Sequence, residues 1–290
     1  MPVTVRAATM ADLDAISAVA IATGQEDFAG DGLAGHVRHL IGHGTFLVAV
    51  RGDAVAGYGA TLRIGAGAGA VSMLADLFID PHGQGAGIGR AILAELWRDE
   101  PRRMTFSSLN ARALPLYTSF GVDAWWPLLY LSGPVARLSP PAGWSVSAIG
   151  AAEAAALELG WTGCDRTADY ELLTSGPGGT GVVASLDGRP VAVGAVGVTG
   201  SELALSHLVS NPAASEPQAA EAVVAVLSVL AVLAGLEPAG GQARTYLPGP
   251  HPAVRLLLAA GWKISEFDLY MASTPELIDP RRSVPDPGLA

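Results

Sequence analysis

Residues 5–12, Val-Arg-Ala-Ala-Thr-Met-Ala-Asp, return 141 positions later as Val-Ser-Ala-Ile-Gly-Ala-Ala-Glu at 146–153. Each copy reads as a short strand and a helix start, with Thr9 or Gly150 as N-cap and an acid three residues on. Residues 44–57 resemble 179–192, both reading as hairpins around Arg51-Gly52-Asp53 and Asp187-Gly188-Arg189. Leu74-Ala-Asp-Leu77 through Asp80-Pro81 matches Leu205-Ser-His-Leu208 through Asn211-Pro212, 131 positions on. Phe120-Gly121-Val122 matches Ala260-Gly261-Trp262, and Leu129-Tyr130-Leu131 matches Leu269-Tyr270-Met271, both 140 positions on. Loop insertions and deletions account for the changing offset, and five matches in one order imply a duplicated domain. A chain of 290 residues holds two domains that each bury a core. Pro134 to Gly143, with Pro140-Pro141, reads as the linker. The expected layout is a first domain over 1–135, a second over 144–273, and a Pro-rich, loosely attached tail over 274–290.

The copies differ at one turn. In the first, the apolar run ending Leu77-Phe78-Ile79-Asp80-Pro81 leads into Gln84-Gly85-Ala86-Gly87-Ile88-Gly89. A helix comes next, from the helical spacing of Ile88, Ile92, Leu93 and Leu96. Glycines let the backbone turn tightly with uncovered N–H groups, and the helix start adds free N–H groups and a positive dipole end, so the turn suits a diphosphate. A Walker loop would need Gly-Lys-Ser/Thr, and the dinucleotide spacing G-x-G-x-x-G also fails. In the second copy the stretch after Asn211-Pro212 is Ala-Ala-Ser-Glu-Pro-Gln. Its glycines are gone, and Glu216 would repel a diphosphate. The fold is kept there and the anion cradle is lost. Gly65 to Ala70 reads as a loop between strands.

The pattern (Gln/Arg)-x-x-Gly-x-(Gly/Ala) after a strand ending in Asp-Pro resembles the coenzyme A pyrophosphate loop of the GNAT acyltransferase superfamily. Ser108-Leu-Asn110 through Leu116-Tyr117 and Gly121-Val122 is similar to that superfamily's late motif. Pro115 interrupts its helix, and Val122 stands where an aromatic is usual. The resemblance implies an α/β fold, a mixed sheet flanked by helices, in two tandem GNAT-like acyltransferase domains of which the first is catalytic. It implies acetyl-CoA or another acyl-CoA as co-substrate, held by Gln84, Gly85, Ala86, Gly87, Ile88, Gly89, Arg90 and Asn110. The backbone of Leu77, Phe78 and Ile79 would pair with the pantetheine arm, one N–H of Phe78 or Ile79 polarising the thioester carbonyl. Tyr117 matches a tyrosine that protonates the departing thiolate; the alternative is a core tyrosine whose hydroxyl caps a backbone group. Asp76 stands where relatives place a glutamate. It would take the proton of an ammonium acceptor through a water, or else serve as a structural carboxylate.

The implied reaction is direct transfer of an acetyl group to the amine of a small molecule or peptide. A non-catalytic acyl-CoA-binding regulator or scaffold, and an O-acyltransferase or other thioester enzyme, remain alternatives. The formal charge of −10 disfavours nucleic acid and suits a cationic acceptor. The first twenty residues, with Arg6, Asp12 and Asp14, lack a signal peptide's apolar core, and Ala222 to Leu236 is too short to span a bilayer, so it reads as a buried helix. The lone Cys164 excludes an intrachain disulfide and fits a reducing cytoplasm, and no family motif surrounds it. The Gly- and Ala-rich composition is associated with high-GC bacteria. A monomer or homodimer is expected. Glu26, Asp27 and Asp31 read equally as acceptor contacts or as a solvated loop. His36, His39 and His43 share a helix face, but no Cys or acid in that stretch completes a zinc set, so no metal is expected. His207, in the place of Asp76, reads as a core histidine.

Overall fold

The computed structural model describes residues 2–25, 31–176, 178–199, 202–233 and 241–289. They form two compact units. The first holds Met1–Thr105, Ala111–Asp123 and Ala272–Thr274; the second holds Phe106–Asn110, Ala124–Met271 and Pro275–Ala290.

In the first unit, five strands lie in chain order: β1 (Val3–Ala7), β2 (Gly44–Arg51), β3 (Ala54–Ile64), β4 (Val71–Ile79) and β5 (Arg103–Ser107). The first four pair antiparallel, β4 and β5 parallel. The β2–β3 turn is Gly52-Asp53, with Gly52 at φ +67°. Helices α1 (Leu13–Ala22) and α2 (Asp31–His43) follow β1. Thr9 begins the turn into α1, its N–H donating to Asp12 Oδ2 at 2.9 Å. Side chains alternate along a strand, so Gly57, Gly59, Leu77 and Ile79 share one face of β3–β4 while Tyr58, Ala60, Asp76 and Phe78 share the other. Helix α3 (Ile88–Leu96) lies on the glycine face; a Cβ at Gly59 would stand 2.8 Å from Ile92 Cγ2. Helix α4 (Ala113–Thr118) is six residues long, and Pro115 falls in its first turn, where a missing N–H costs little.

The second unit contains β6 (Asp123–Pro134), β7 (Trp144–Ile149), β8 (Thr180–Leu186), β9 (Arg189–Thr199), β10 (Glu202–Ser210), β11 (Gln242–Pro248) and β12 (Lys263–Ala272), in the spatial order β12-β6-β11-β10-β9-β8-β7. Although β6 was expected to close the first half, its Leu128–Pro134 pair antiparallel with β11, and Leu131 and Val135 are buried in the second unit's core. Helix α7 (Glu216–Leu233) is buried over Ala222–Leu227, as an all-apolar helix should be, against Val182, Ala192, Leu203 and Leu208. Helices α5 (Ala151–Thr162) and α6 (Thr167–Leu173) cover the opposite face, with Tyr170 packed on Val193 and Ala195. Helix α8 (Ala253–Ala259) follows β11. Among the described residues, no helix is long and apolar enough to cross a membrane.

The tail departs from expectation. Ser283–Val284 forms β13, antiparallel to β10, and both Val284 and Leu289 are buried. A Pro-rich composition shortens regular structure, but two residues suffice where a strand edge and an apolar socket wait.

Candidate functional site

The turn after β4 is built from its first residue onward. Asp80 N–H donates to Ala56 O on β3 at 3.1 Å, and Asp80 Oδ1 accepts from His82 N–H at 2.8 Å. Gly83 is buried beneath Ile88, and from Gln84 to Gly87 the chain is exposed. Gly85 and Gly87 sit at φ +82° and +79°, in the left-handed region that a side chain disfavours. Ala91 N–H reaches back to Gly87 O at 3.0 Å, so the amides of Ile88, Gly89 and Arg90 precede the first intrahelical donor of α3. The helix's positive end therefore points into an exposed turn.

Gln84 bridges this turn to the strand. Its Nε2 donates to Ile79 O at 3.2 Å, while its Oε1 accepts from Arg112 Nη1 at the start of α4. Arg90 lies over the Phe120 ring, 5.6 Å from its centroid. The Arg112 guanidinium thus stands beside the turn in a chain whose formal charge is −10. No motif in the sequence pointed to Arg112.

The strand before the turn has an open edge. The β4–β5 ladder ends at Leu74↔Thr105, where Thr105 Oγ1 also donates to Leu74 O at 3.0 Å. Beyond it, among the described residues, no ladder partner stands along that side of Asp76–Ile79. Ala60 opposes Asp76 while Thr61 opposes Leu74, leaving Ala75 as a bulge that re-aims the rest of the strand. Backbone groups alternate along an antiparallel strand. With Asp80 N–H turned to β3, Phe78 N–H turns there too, and Leu77 and Ile79 present theirs to the open edge. Of the two amides expected to polarise a carbonyl, Ile79 has the geometry and Phe78 does not.

Asp76 lies on the other face, where His36 of α2 meets it, Nε2 to Oδ2, at 3.1 Å. Their side chains are 12% and 10% exposed, buried enough to strengthen the pair and open enough to exchange protons. Burial, and then the Asp76 charge, push the neighbouring Tyr58 hydroxyl far above its usual range. The histidine triplet splits, His39 and His43 meeting as tilted rings 5.0 Å apart. No group of three His, Cys, Asp or Glu among the described residues is arranged for a metal.

Tyr117 is 6% exposed and its ring meets Trp97 at 6.3 Å, so the ring is a core element of the first unit. Asn110 follows β5, its N–H donating to Ser108 O at 2.7 Å, and groups with the second unit, whereas residues 84–90 belong to the first. Glu26 and Asp27 lie outside the described residues, as does the side chain of Asp31.

The second unit repeats the scaffold and changes its chemistry. Leu205 opposes Val196 and His207 opposes Ala195, so Ser206 bulges where Ala75 does. Thr245 Oγ1 donates to Leu205 O at 3.0 Å, and Asn211 Oδ1 accepts from Ala213 N–H at 2.9 Å, each matching a bond in the first unit. His207, in the position of Asp76, pairs with Glu158 at 2.9 Å, and Tyr170 donates to the same carboxylate at 2.8 Å. Burial alone would raise the Glu158 pKa, but His207, Arg166 and Tyr170 outweigh it and bring it to about 2. The histidine and glutamate are buried, as a core reading requires.

Residues 42–122 match a model described as an acetyltransferase (GNAT) domain. No curated protein matches the chain. Among solved structures, a putative acetyltransferase from Pyrococcus horikoshii is similar with a TM-score of 0.70 at 14% identity, over 99% of this chain and 94% of its own. A GCN5-related N-acetyltransferase from Anabaena variabilis scores 0.64 at 17% identity, over 97% and 75%. A tandem GNAT protein from the clavulanic acid biosynthesis pathway scores 0.60 at 15% identity, over 94% and 99%. At these identities the likeness speaks to the fold, and it extends over both copies.

Proposed function

Because the chain carries an acetyltransferase domain of the GNAT family across residues 42–122, we propose that it moves an acyl group, foremost acetyl, from coenzyme A to an amine of a small molecule or peptide, and that only the first half does so. On this reading residues 1–135 form the catalytic domain and 144–273 its degenerate copy. The observation that carries it is the open Leu77–Ile79 edge running into a glycine turn flanked by Arg112.

Each part has a chemical task. The pantetheine arm adds to the β4 edge as an extra strand, pairing with Leu77 and Ile79. The amides from Gln84 to Arg90, the dipole of α3 and the Arg112 guanidinium hold the diphosphate. Ile79 N–H donates to the thioester oxygen and stabilises the oxyanion. The amine nitrogen attacks the carbonyl carbon, the C–S bond breaks, the thiolate takes a proton from Tyr117, and the second proton lost by the nitrogen as the amide forms restores the Tyr117 hydroxyl. The Asp76–His36 pair receives the proton that the ammonium sheds. Cys164 takes no part.

The test is thiol release from acetyl-CoA against a panel of amines, alcohols and peptide N-termini, with product mass identifying the bond made. Turnover on an amine that falls about 100-fold in Asp76→Asn supports the reading. Ester products, or binding without turnover on any acceptor, would replace it with an O-acyltransferase or a regulator.

A further inference from the structure

The cleft that stands open in the first unit is filled in the second. Strand β10 pairs with β11 only from Glu202↔Gln242 to Leu205↔Thr245, then the two part. Into that parting comes β13, touching both strands, with Val284 opposite Leu208 and Ser283 opposite Val209. Ser210 N–H donates to Arg282 O at 3.1 Å. Leu208 and Ser210 are the counterparts of Leu77 and Ile79, so the tail uses the same edge that the first copy leaves open. Val284 is completely buried among Leu208, Leu247 and their neighbours. Further on, Leu289 O accepts from the buried Arg166 at 3.0 Å.

The turn beyond that edge has inverted its polarity. In the first copy it offers amides and a guanidinium group, which attract an anion. In the second it offers the carbonyls of Pro212, at 3.0 Å, and Ala214 to the Arg282 guanidinium, and the Glu216 carboxylate to Arg281 at 2.9 Å. Such a site rejects a diphosphate and accepts a cation.

We infer that the second unit's cleft is a binding site for a basic, extended peptide of the type Arg-Arg-Ser-Val, and that the chain's own C-terminal segment, Arg281 to Leu289, fills it in cis. Strand addition supplies the main-chain bonds, Val284 the apolar anchor, and the two arginines the selectivity. The inference stands apart from the acyl-transfer reading, because it concerns the other copy and no acyl group.

The experiment uses the full-length chain and a fluorescent peptide of residues Arg281 to Ala290. Wild type should bind none up to about 100 μM, since a tethered segment acts at an effective concentration in the millimolar range. Val284→Asp in the full chain places a charge in the apolar socket and frees the cleft; that variant should bind one wild-type peptide, and a peptide carrying Arg282→Ala should bind about tenfold more weakly. Should Val284→Asp fail to fold, the full chain with Arg281→Ala and Arg282→Ala leaves the socket intact, and should show faster hydrogen exchange at the Ser210 amide and bind the peptide. A folded Val284→Asp chain that refuses the peptide, or Ser210 exchange unchanged in the double-arginine variant, overturns the inference. An acetyl-CoA titration of each sample reads the first copy separately and should be unchanged.

Discussion

Gly87 is held at φ +79° with nothing within 4 Å of where a Cβ would stand. Substitution there is opposed by backbone conformation rather than by a clash, at about 1–2 kcal/mol for a non-glycine residue. Gly87→Ala should relieve that strain by swinging the amides of Ile88 and Gly89 off the ligand. Acetyl-CoA affinity by calorimetry should weaken about tenfold, with little change in the melting temperature. An unchanged Kd would mean that those amides do not hold the diphosphate. At Asp76, the proposed base, Asn keeps the shape and loses the charge; kcat should drop about 100-fold or more while acetyl-CoA binding holds. His36→Gln removes the partner of Asp76 and should lower kcat while acetyl-CoA affinity by calorimetry holds; an unchanged kcat would mean that the pair takes no part. The 84–90 turn was legible from its own glycine pattern, and Asp76 only through the resemblance to a known family. Their partners were not: His36 is 40 positions from Asp76, and Arg112 is 28 from Gln84. Only the folded chain brings such distant residues together.

Among the elements, the α5–α6–β10 layer of the second unit holds a buried charged cluster around Glu158. That carboxylate has a folded pKa of about 2, against an ordinary value of 4.5. A carboxylate depressed on folding stabilises the protein above its unfolded pKa, and that contribution is lost as pH falls through the folded one. The melting temperature should therefore decline steeply between pH 4.5 and about 2. Glu158→Gln should flatten that limb and lower stability near neutrality, where His207 would lose its anionic partner. If the variant's melting curve parallels wild type through this window, the ion pair has been misassigned. The hairpins, α7 and the short α4 were all readable, because turn glycines, apolar runs and a proline act locally. Strand β13 was not. Pro285 and Pro287 signal a loose tail, and nothing in residues 281–290 shows that β10 has an edge to spare.

For the molecule as a whole, duplication is the governing fact. Paired bulges at Ala75 and Ser206, and paired threonine bonds to Leu74 and Leu205, keep the two scaffolds alike while the turns beyond them differ. The order of matching segments revealed the repeat. The grouping of β6 with the second unit lay beyond it, since apolar alternation says that a strand is half buried but not which neighbour it joins. Calorimetric titration of the 290-residue chain with acetyl-CoA shows whether the first copy alone grips coenzyme A. One molecule should bind per chain, with affinity reduced by Gly87→Ala and untouched by Glu216→Ala. Two sites per chain, no site at all, or a single site sensitive to Glu216 and indifferent to Gly87 would mean that the glycine turn is not the cradle.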